Sequence, residues 1–220
     1  MSSTYFADKP VLTDEDVMLR PFTDADIDQM GPILADPELL RLTGSVHTSA
    51  QANTQSASLD EGVLHWYRTR AEQPDRLDLA IIDRDRNTCV GEVVLNELSE
   101  ADDTCNYRVL IGPAGRDRGL GSRATRLLID YAFSHTRLQR IGLEVYAFNP
   151  RAHRVYERAG FILEGRKRAE FTFDGERIDT LVMGQLRSDW ESARFHPKEE
   201  SLPRWTDPPR PAARLPWAHD

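Results

Sequence analysis

In this chain of 220 residues, the segment best placed to do chemistry is a glycine turn and the two elements that flank it. Val109, Leu110 and Ile111 form an apolar run that Gly112-Pro113 cuts off. Gly115-Arg116-Asp117-Arg118-Gly119-Leu120-Gly121-Ser122 follows, with few bulky side chains just where a helix should begin. From Ser122 on, Leu127, Leu128, Tyr131 and Ala132 recur at spacings of three and four, the pattern of one buried helix face. Strand, glycine turn and helix together aim several backbone N–H groups outward. The positive end of the helix dipole lies behind them, so an anion site is predicted here. Glycine is expected at Gly119 and Gly121 because a side chain would hold a phosphate off the backbone. The anion expected is a phosphorylated cofactor. GxxxxGK[ST] is missing, which excludes a P-loop for ATP or GTP, and GxGxxG is missing, which argues against a dinucleotide fold.

The elements around this turn read as one mixed α/β domain. Asp16–Phe22 alternates as a first strand, and Thr23 or Asp24 caps a helix holding Ile27, Met30, Ile33 and Leu34. Pro37 starts a short second helix through Leu42; residues 43–58 are polar and read as a loop; residues 59–72 are helical. Strands are expected over residues 77–82 and 89–98, then the strand that enters the glycine turn. Residues 141–148 are the clearest strand, with Ile141, Leu143, Val145 and Ala147 facing one way and Gly142, Glu144, Tyr146 and Phe148 the other. Asn149-Pro150 starts a helix that Gly160 ends. Residues 161–173 and 178–186 form a hairpin about Asp174-Gly175. The composition shifts near His196: six of the 13 prolines lie between Pro197 and Pro216, beside Trp205 and Trp217. That tail is expected to be extended and to dock on the domain or on a neighbouring subunit, so a homodimer is a candidate assembly.

Composition narrows the partners. The net charge of −8 argues against nucleic acid. Residues 116–168 nevertheless carry 12 basic and 5 acidic side chains, a local +7 against −15 in the remainder. A basic block opening at the anion turn suits a multiply phosphorylated ligand such as coenzyme A, although solvated helix faces account for most of these arginines. No apolar run approaches the ~18 residues that span a bilayer, and the first residues lack a signal core. Cys89 and Cys105 show no metal spacing, so no metal and a cytoplasmic, reduced protein are expected.

Two motifs then carry a resemblance. Arg116-x-x-Gly119-x-Gly121 resembles the acetyl-CoA pyrophosphate loop of the GCN5-related N-acetyltransferases (GNAT), where Gln or Arg, two residues, Gly, one residue and Gly or Ala recur. Asn149, Ala152, Tyr156 and Gly160-Phe161 resemble that family's later motif, in the right order and each after a predicted strand. The likeness covers about residues 16–186. The Leu19-Arg20-Pro21-Phe22 opening and the acidic first helix resemble the Rim-type branch, which includes enzymes acetylating ribosomal-protein N-termini. It implies a GNAT domain over residues 10–190 with a Pro-rich extension over 191–220. The implied fold is a twisted, mostly antiparallel sheet of about seven strands, flanked by four or so helices. The strands of Val109–Ile111 and Ile141–Phe148, the family's fourth and fifth, would splay apart.

The resemblance also implies roles. The pantetheine arm of acetyl-CoA, the co-substrate, would insert between the splayed strands along Val109, Leu110 and Ile111. Residues 116–122 (Arg116, Asp117, Arg118, Gly119, Leu120, Gly121 and Ser122) would hold the pyrophosphate, and Asn149 would contact the arm. Val109 or Leu110 N–H would polarise the thioester carbonyl. Tyr156 would protonate the departing thiolate. Direct attack requires a neutral amine, on a small molecule or a protein N-terminus, so a base is needed. Glu144, five residues before Asn149, occupies the place of the base proposed for some Rim-type enzymes; Glu92, Glu97 and Asp103 are reserves. Tyr156 fits a core aromatic as well, and Glu144 a residue facing a helix or solvent. Two other functions stay open: a catalytically silent acyl-CoA-binding module, and transfer of a larger acyl group such as succinyl, which Arg108 would suit.

Overall fold

The computed structural model describes residues 5–195. Its strands are β1 (Leu12–Thr13), β2 (Val17–Arg20), β3 (Leu77–Asp83), β4 (Thr88–Ser99), β5 (Thr104–Ile111), β6 (Arg140–Tyr146), β7 (Ile162–Phe173) and β8 (Glu176–Leu186). Its helices are α1 (Asp24–Leu34), α2 (Pro37–Thr43), α3 (Ser49–Ala52), α4 (Glu61–Thr69), α5 (Leu120–His135), α6 (Pro150–Ala159) and α7 (Arg187–Phe195). The strands form one sheet in the order β1-β2-β3-β4-β5-β6-β8-β7. All neighbours are antiparallel except β5 and β6.

Helices cover both faces, which is why β3 is buried along its whole length. On one face Leu120, Ala124, Leu128 and Phe133 of α5 pack with Leu79, Ile81, Val93, Tyr107, Ile141 and Leu143. On the other, Ile27, Met30 and Ile33 of α1 and Tyr67 of α4 pack with Ala80, Ile82 and Leu110. A third, smaller cluster joins Leu40, Val46 and Ala52 to Phe171 and Phe173, with Tyr146 and Phe148 against it.

Local signals set most boundaries. Thr23 and Asp26 form a capping box on α1. Asp174 and Gly175 take φ of 47° and 81°, as a two-residue hairpin turn requires, with Phe173 opposite Glu176. The described residues form eight strands and seven helices where about seven and four or so were expected, and three further features differ from the sequence expectation. The polar stretch 43–58 contains α3, a single turn nucleated by Thr48, whose side chain caps it. α5 begins at Leu120, two residues before Ser122. α7 continues the chain beyond residue 190 to Phe195, where only an extension was expected. Trp190 anchors it, donating from Nε1 to Asp130 at 2.6 Å and lying 5.7 Å from the Phe133 ring. The Pro-rich segment with Trp205 and Trp217 lies outside the described residues.

The feature that makes a site is the course of β5. It pairs with β4 from Asn106 through Ile111. With β6 it pairs only at Thr104↔Arg140, Cys105↔Ile141 and Asn106↔Gly142, while β6 keeps its full ladder with β8. Beyond Asn106 the two strands part, and the edge of β5 that faces β6 has no ladder partner.

Candidate active site in the sheet fork

A cleft of about 520 Å³ fills this fork, bounded by Val109, Leu110 and Ile111 on one side and Glu144, Val145 and Tyr146 on the other. The glycine turn, α6, and Leu39, Leu42 and Thr43 of α2 complete its lining.

The turn end is built for an anion. α1, α2, α3, α4 and α6 each have a side-chain cap from Thr23, Asp36, Thr48, Asp60 or Asn149. α5 starts on Gly119, with no side-chain cap and no acid in its first turn. Its first helical bond is Arg123 N–H to Gly119 O, so the N–H groups of Leu120, Gly121 and Ser122 precede the ladder. Gly119 has φ of 77°, and a Cβ there would meet nothing within 4 Å. The left-handed backbone demands glycine, and the space before it stays clear. Gly121 has a different reason from the one expected: its Cβ would stand 3.2 Å from Ile111 Cγ1, so glycine lets α5 close on β5. Uncapped donors facing an open cleft fit the phosphates of coenzyme A.

The side chains of the turn do less than its backbone. Arg116 lines the cleft, but its Nε donates to Ile111 O at 3.1 Å and its other nitrogens hold Asp36 and Glu38. It is a strut between the turn and α2. Arg118 pairs with Asp83 of β3, holding that carboxyl below the usual carboxylate range, and Leu120 is buried in the core. Neither side chain lines the cleft, whereas Asp117, Gly119, Gly121 and Ser122 do. α6 adds Arg151, Arg154 and Arg158 to the lining, residues legible in the sequence only as part of a basic block.

Asn149 caps α6, its side chain accepting from Ala152 N–H at 3.1 Å, and also lines the cleft. Tyr156 lies two turns along, packed edge-on against Tyr107 and Phe161. Burial pushes its phenol well up, so it stays protonated near neutrality, and no hydrogen bond from a described residue occupies its hydroxyl. Glu144 enters from β6; its carboxylate is half-exposed and accepts from Lys167 Nζ at 2.5 Å. Tyr146, which sequence reasoning left without a role, stacks on Phe171 with centroids 4.5 Å apart and forms part of the cleft wall.

Of the reserve acids, Glu92 lies buried beneath the fork, taking a hydrogen bond from Tyr67 Oη at 3.1 Å and pairing with Arg108 at 3.2 Å. Burial pushes its carboxyl up. Asp103 pairs with Arg137, and neither it nor Glu97 lines the cleft. Cys89 and Cys105 are buried thiols pushed up to about 12, so neither is a ready nucleophile.

The acetyltransferase (GNAT) domain family model matches residues 16–162. This chain belongs to that family. The acetyltransferase is 27% identical over 110 residues to the spermidine N(1)-acetyltransferase of Vibrio cholerae, covering 50% of this chain and 64% of that one. It is 24% identical over 179 residues to the prophage-derived uncharacterized N-acetyltransferase YokL of Bacillus subtilis, covering 81% and 94%. The crystal structure of spermidine N-acetyltransferase from Vibrio cholerae in complex with CoA and spermine superposes with a TM-score of 0.68 at 20% identity, over 81% of this chain and 99% of that one, and shows the same fold. The acetyltransferase uses acetyl-CoA as co-substrate and transfers its acetyl group to an amine. No helix among the described residues is long and apolar enough to cross a membrane.

Proposed function

We propose that this enzyme acetylates a primary amine by direct attack within the fork, with Tyr156 and Glu144 handling the two protons. The observation that carries this reading is their convergence: α6 and β6 deliver a phenol that no described residue hydrogen-bonds and a carboxylate to one cleft, beside an edge of β5 that no described strand pairs. That edge offers main-chain groups to the pantetheine arm as a strand would, and its N–H groups suit the thioester oxygen. Bound acetyl-CoA supplies the activated acyl carbon; the chain's own residues hold and move protons around it.

Tyr156 acts as a hydrogen-bond donor to the departing sulfur. Burial raises the phenol above its ordinary value near ~10, while a free thiol titrates near ~8.5, so full transfer to the thiolate runs uphill and stabilisation by a short hydrogen bond is the favoured form. Glu144, in contact with solvent, collects the proton of the amine directly or through water. Its place five residues before Asn149 supports the Rim-type branch, and with it a protein N-terminus as acceptor. The spermidine enzymes among the relatives support a polyamine as the second reading. The catalytic unit is assigned to residues 10–190, extended to Phe195 by the rest of α7.

The test is release of free CoA from acetyl-CoA with a panel of N-terminal peptides, amino acids and polyamines. Turnover with at least one amine, lost in Tyr156→Phe, is expected. Tight acetyl-CoA binding without turnover on any amine would instead identify a silent acyl-CoA binder.

A further inference from the structure

We propose that Arg108 is a carboxylate receptor at the acceptor end of the fork, so that the ligand reacting there carries a carboxylate close to its reacting group. The inference rests on the reading of the fork as the acetyl-transfer site. It comes from position first. Thr104 and Arg140 are register partners on β5 and β6. Four residues on along each strand stand Arg108 and Glu144. Side chains alternate along a strand, so both project from the same face of the sheet. Each is the most exposed residue of its strand and both line the cleft. A cation and an anion therefore flank the opening at the same level.

The surroundings of Arg108 set it apart from Arg76 and Arg116. Arg76 grips Asp78 with two bonds of 2.6 and 2.7 Å and is 15% exposed, and Arg116 spends its guanidinium on Asp36, Glu38 and a carbonyl. Both are satisfied inside the protein. Arg108 is 45% exposed, lines the cleft and makes one hydrogen bond among the described residues, from Nη2 to Glu92 Oε1, which leaves four of its five N–H donors without a described partner. Glu92, its side chain 2% exposed, is itself fixed by Tyr67. Burying a carboxylate is costly, and its effect here is to hold one guanidinium by its back while the rest of the fork-shaped group faces outward. A planar guanidinium so presented matches a carboxylate through two parallel bonds.

Two sources of that carboxylate fit the site. An α-amino acid would place its carboxylate on Arg108 and its amine toward Glu144; a dicarboxylic acyl group such as succinyl would bring the carboxylate on the donor. A protein N-terminus has no α-carboxylate and would fit only with an acidic first side chain or a dicarboxylic acyl donor, and a polyamine would set a second ammonium against the guanidinium, which repels it.

Equilibrium binding tests this without depending on catalysis, so it separates this inference from the assignment of Tyr156 and Glu144. The twenty L-amino acids, the amides of those that bind, and spermidine are titrated by calorimetry into the CoA-saturated protein; acetyl-CoA and succinyl-CoA are titrated into the free protein. Arg108→Gln leaves Glu92 buried without its partner, so the neutral double variant Glu92→Gln/Arg108→Gln is measured beside it. Loss of a charge-assisted pair is expected to weaken the carboxylate ligand about 10- to 100-fold, leaving its amide and acetyl-CoA unaffected. An effect confined to amino acids assigns the carboxylate to the acceptor, and one confined to succinyl-CoA assigns it to the acyl group. The proposal is overturned if no carboxylate ligand distinguishes wild type from the double variant, or if spermidine alone binds the wild type.

Discussion

β5 has two edges, and they have opposite fates. Toward β4 it is laddered from Asn106 to Ile111, and Tyr107 and Leu110 pack there with β4 beneath α5 on one face and α1 and α4 on the other. Toward β6 the ladder stops after three pairs, and the rest of that edge looks into a cleft. One strand thus serves as scaffold along one side and as binding surface along the other. Stability is invested in the closed edge and chemistry in the open one, so substitutions on the two sides should separate cleanly.

The largest effect is expected at the turn that ends the open edge. Gly119→Glu puts a carboxylate where the α5 N–H donors point and forces a side chain onto a left-handed backbone; acetyl-CoA binding measured by calorimetry should be abolished while the circular dichroism stays native. Normal binding by a folded variant would move the phosphate site elsewhere. Next comes Tyr156→Phe, which removes one hydroxyl. Steady-state kcat should fall on the order of 10²–10⁴, about 3–5 kcal/mol of barrier, with acetyl-CoA affinity retained. An unchanged kcat would make Tyr156 a packing residue.

On the closed edge, Leu95→Ala should do the reverse. Leu95 is fully buried opposite Leu77 and Tyr107, so the truncation should lower unfolding free energy by about 2–5 kcal/mol, seen in urea titrations, while kcat of the folded fraction is retained. Loss of activity in step with Tyr156→Phe would blur the division between the edges.

Glu144→Gln sharpens the open side. Its rate should fall at neutral pH by roughly 10², within the range for a general base, and recover as pH rises and the amine sheds its own proton. Because burial holds the Tyr156 phenol above its usual ~10, that recovery should not be cut short by tyrosine ionisation below that pH. A wild-type pH–rate profile would place the base elsewhere. The smallest effect is expected at the hairpin tip. Hydrogen bonds from the Ser49 hydroxyl and N–H hold the Asp174 carboxyl below its ordinary value, so its contribution to stability is present above about pH 4 and is lost as pH falls through the depressed value. Asp174→Asn, which keeps a good turn residue, should lower Tm slightly at pH 7, with the difference closing in acid.

How much of this was legible in the sequence follows from range. Features set by neighbours in the chain could be read: the Asn149-Pro150 start, the Asp174-Gly175 turn, and the glycine-bearing entry to α5. The short α3 was hidden because a single capped turn has no periodicity to detect. α7 was hidden because what holds it is Trp190 reaching Asp130, sixty residues away. The turn arginines show the same limit. Arg116 and Arg118 matched a cofactor motif or a basic block, but whether a guanidinium meets a ligand or Asp36 and Asp83 depends on folds of chain far off in sequence. The parting of β5 from β6 was expected only through resemblance, since residues 107–111 are as strand-like as those before them.

Two neighbourhoods of the cleft are held in different ways. Past α2, the stretch around His47 and Ser49 meets the β7–β8 tip through Ser49 to Asp174, Asp174 N–H to the His47 carbonyl, and a bond between His47 Nδ1 and the Thr172 carbonyl. These are contacts between two exposed tips, beside a small aromatic cluster. The wall of the fork formed by β6 is instead bolted along its whole length by a seven-residue ladder with β8. The fork therefore has one riveted wall and, near it, a clasp made of a few bonds between distant parts of the chain. Strain on the hairpin tip would open the clasp first and leave the β6 wall, with Glu144 on it, in place.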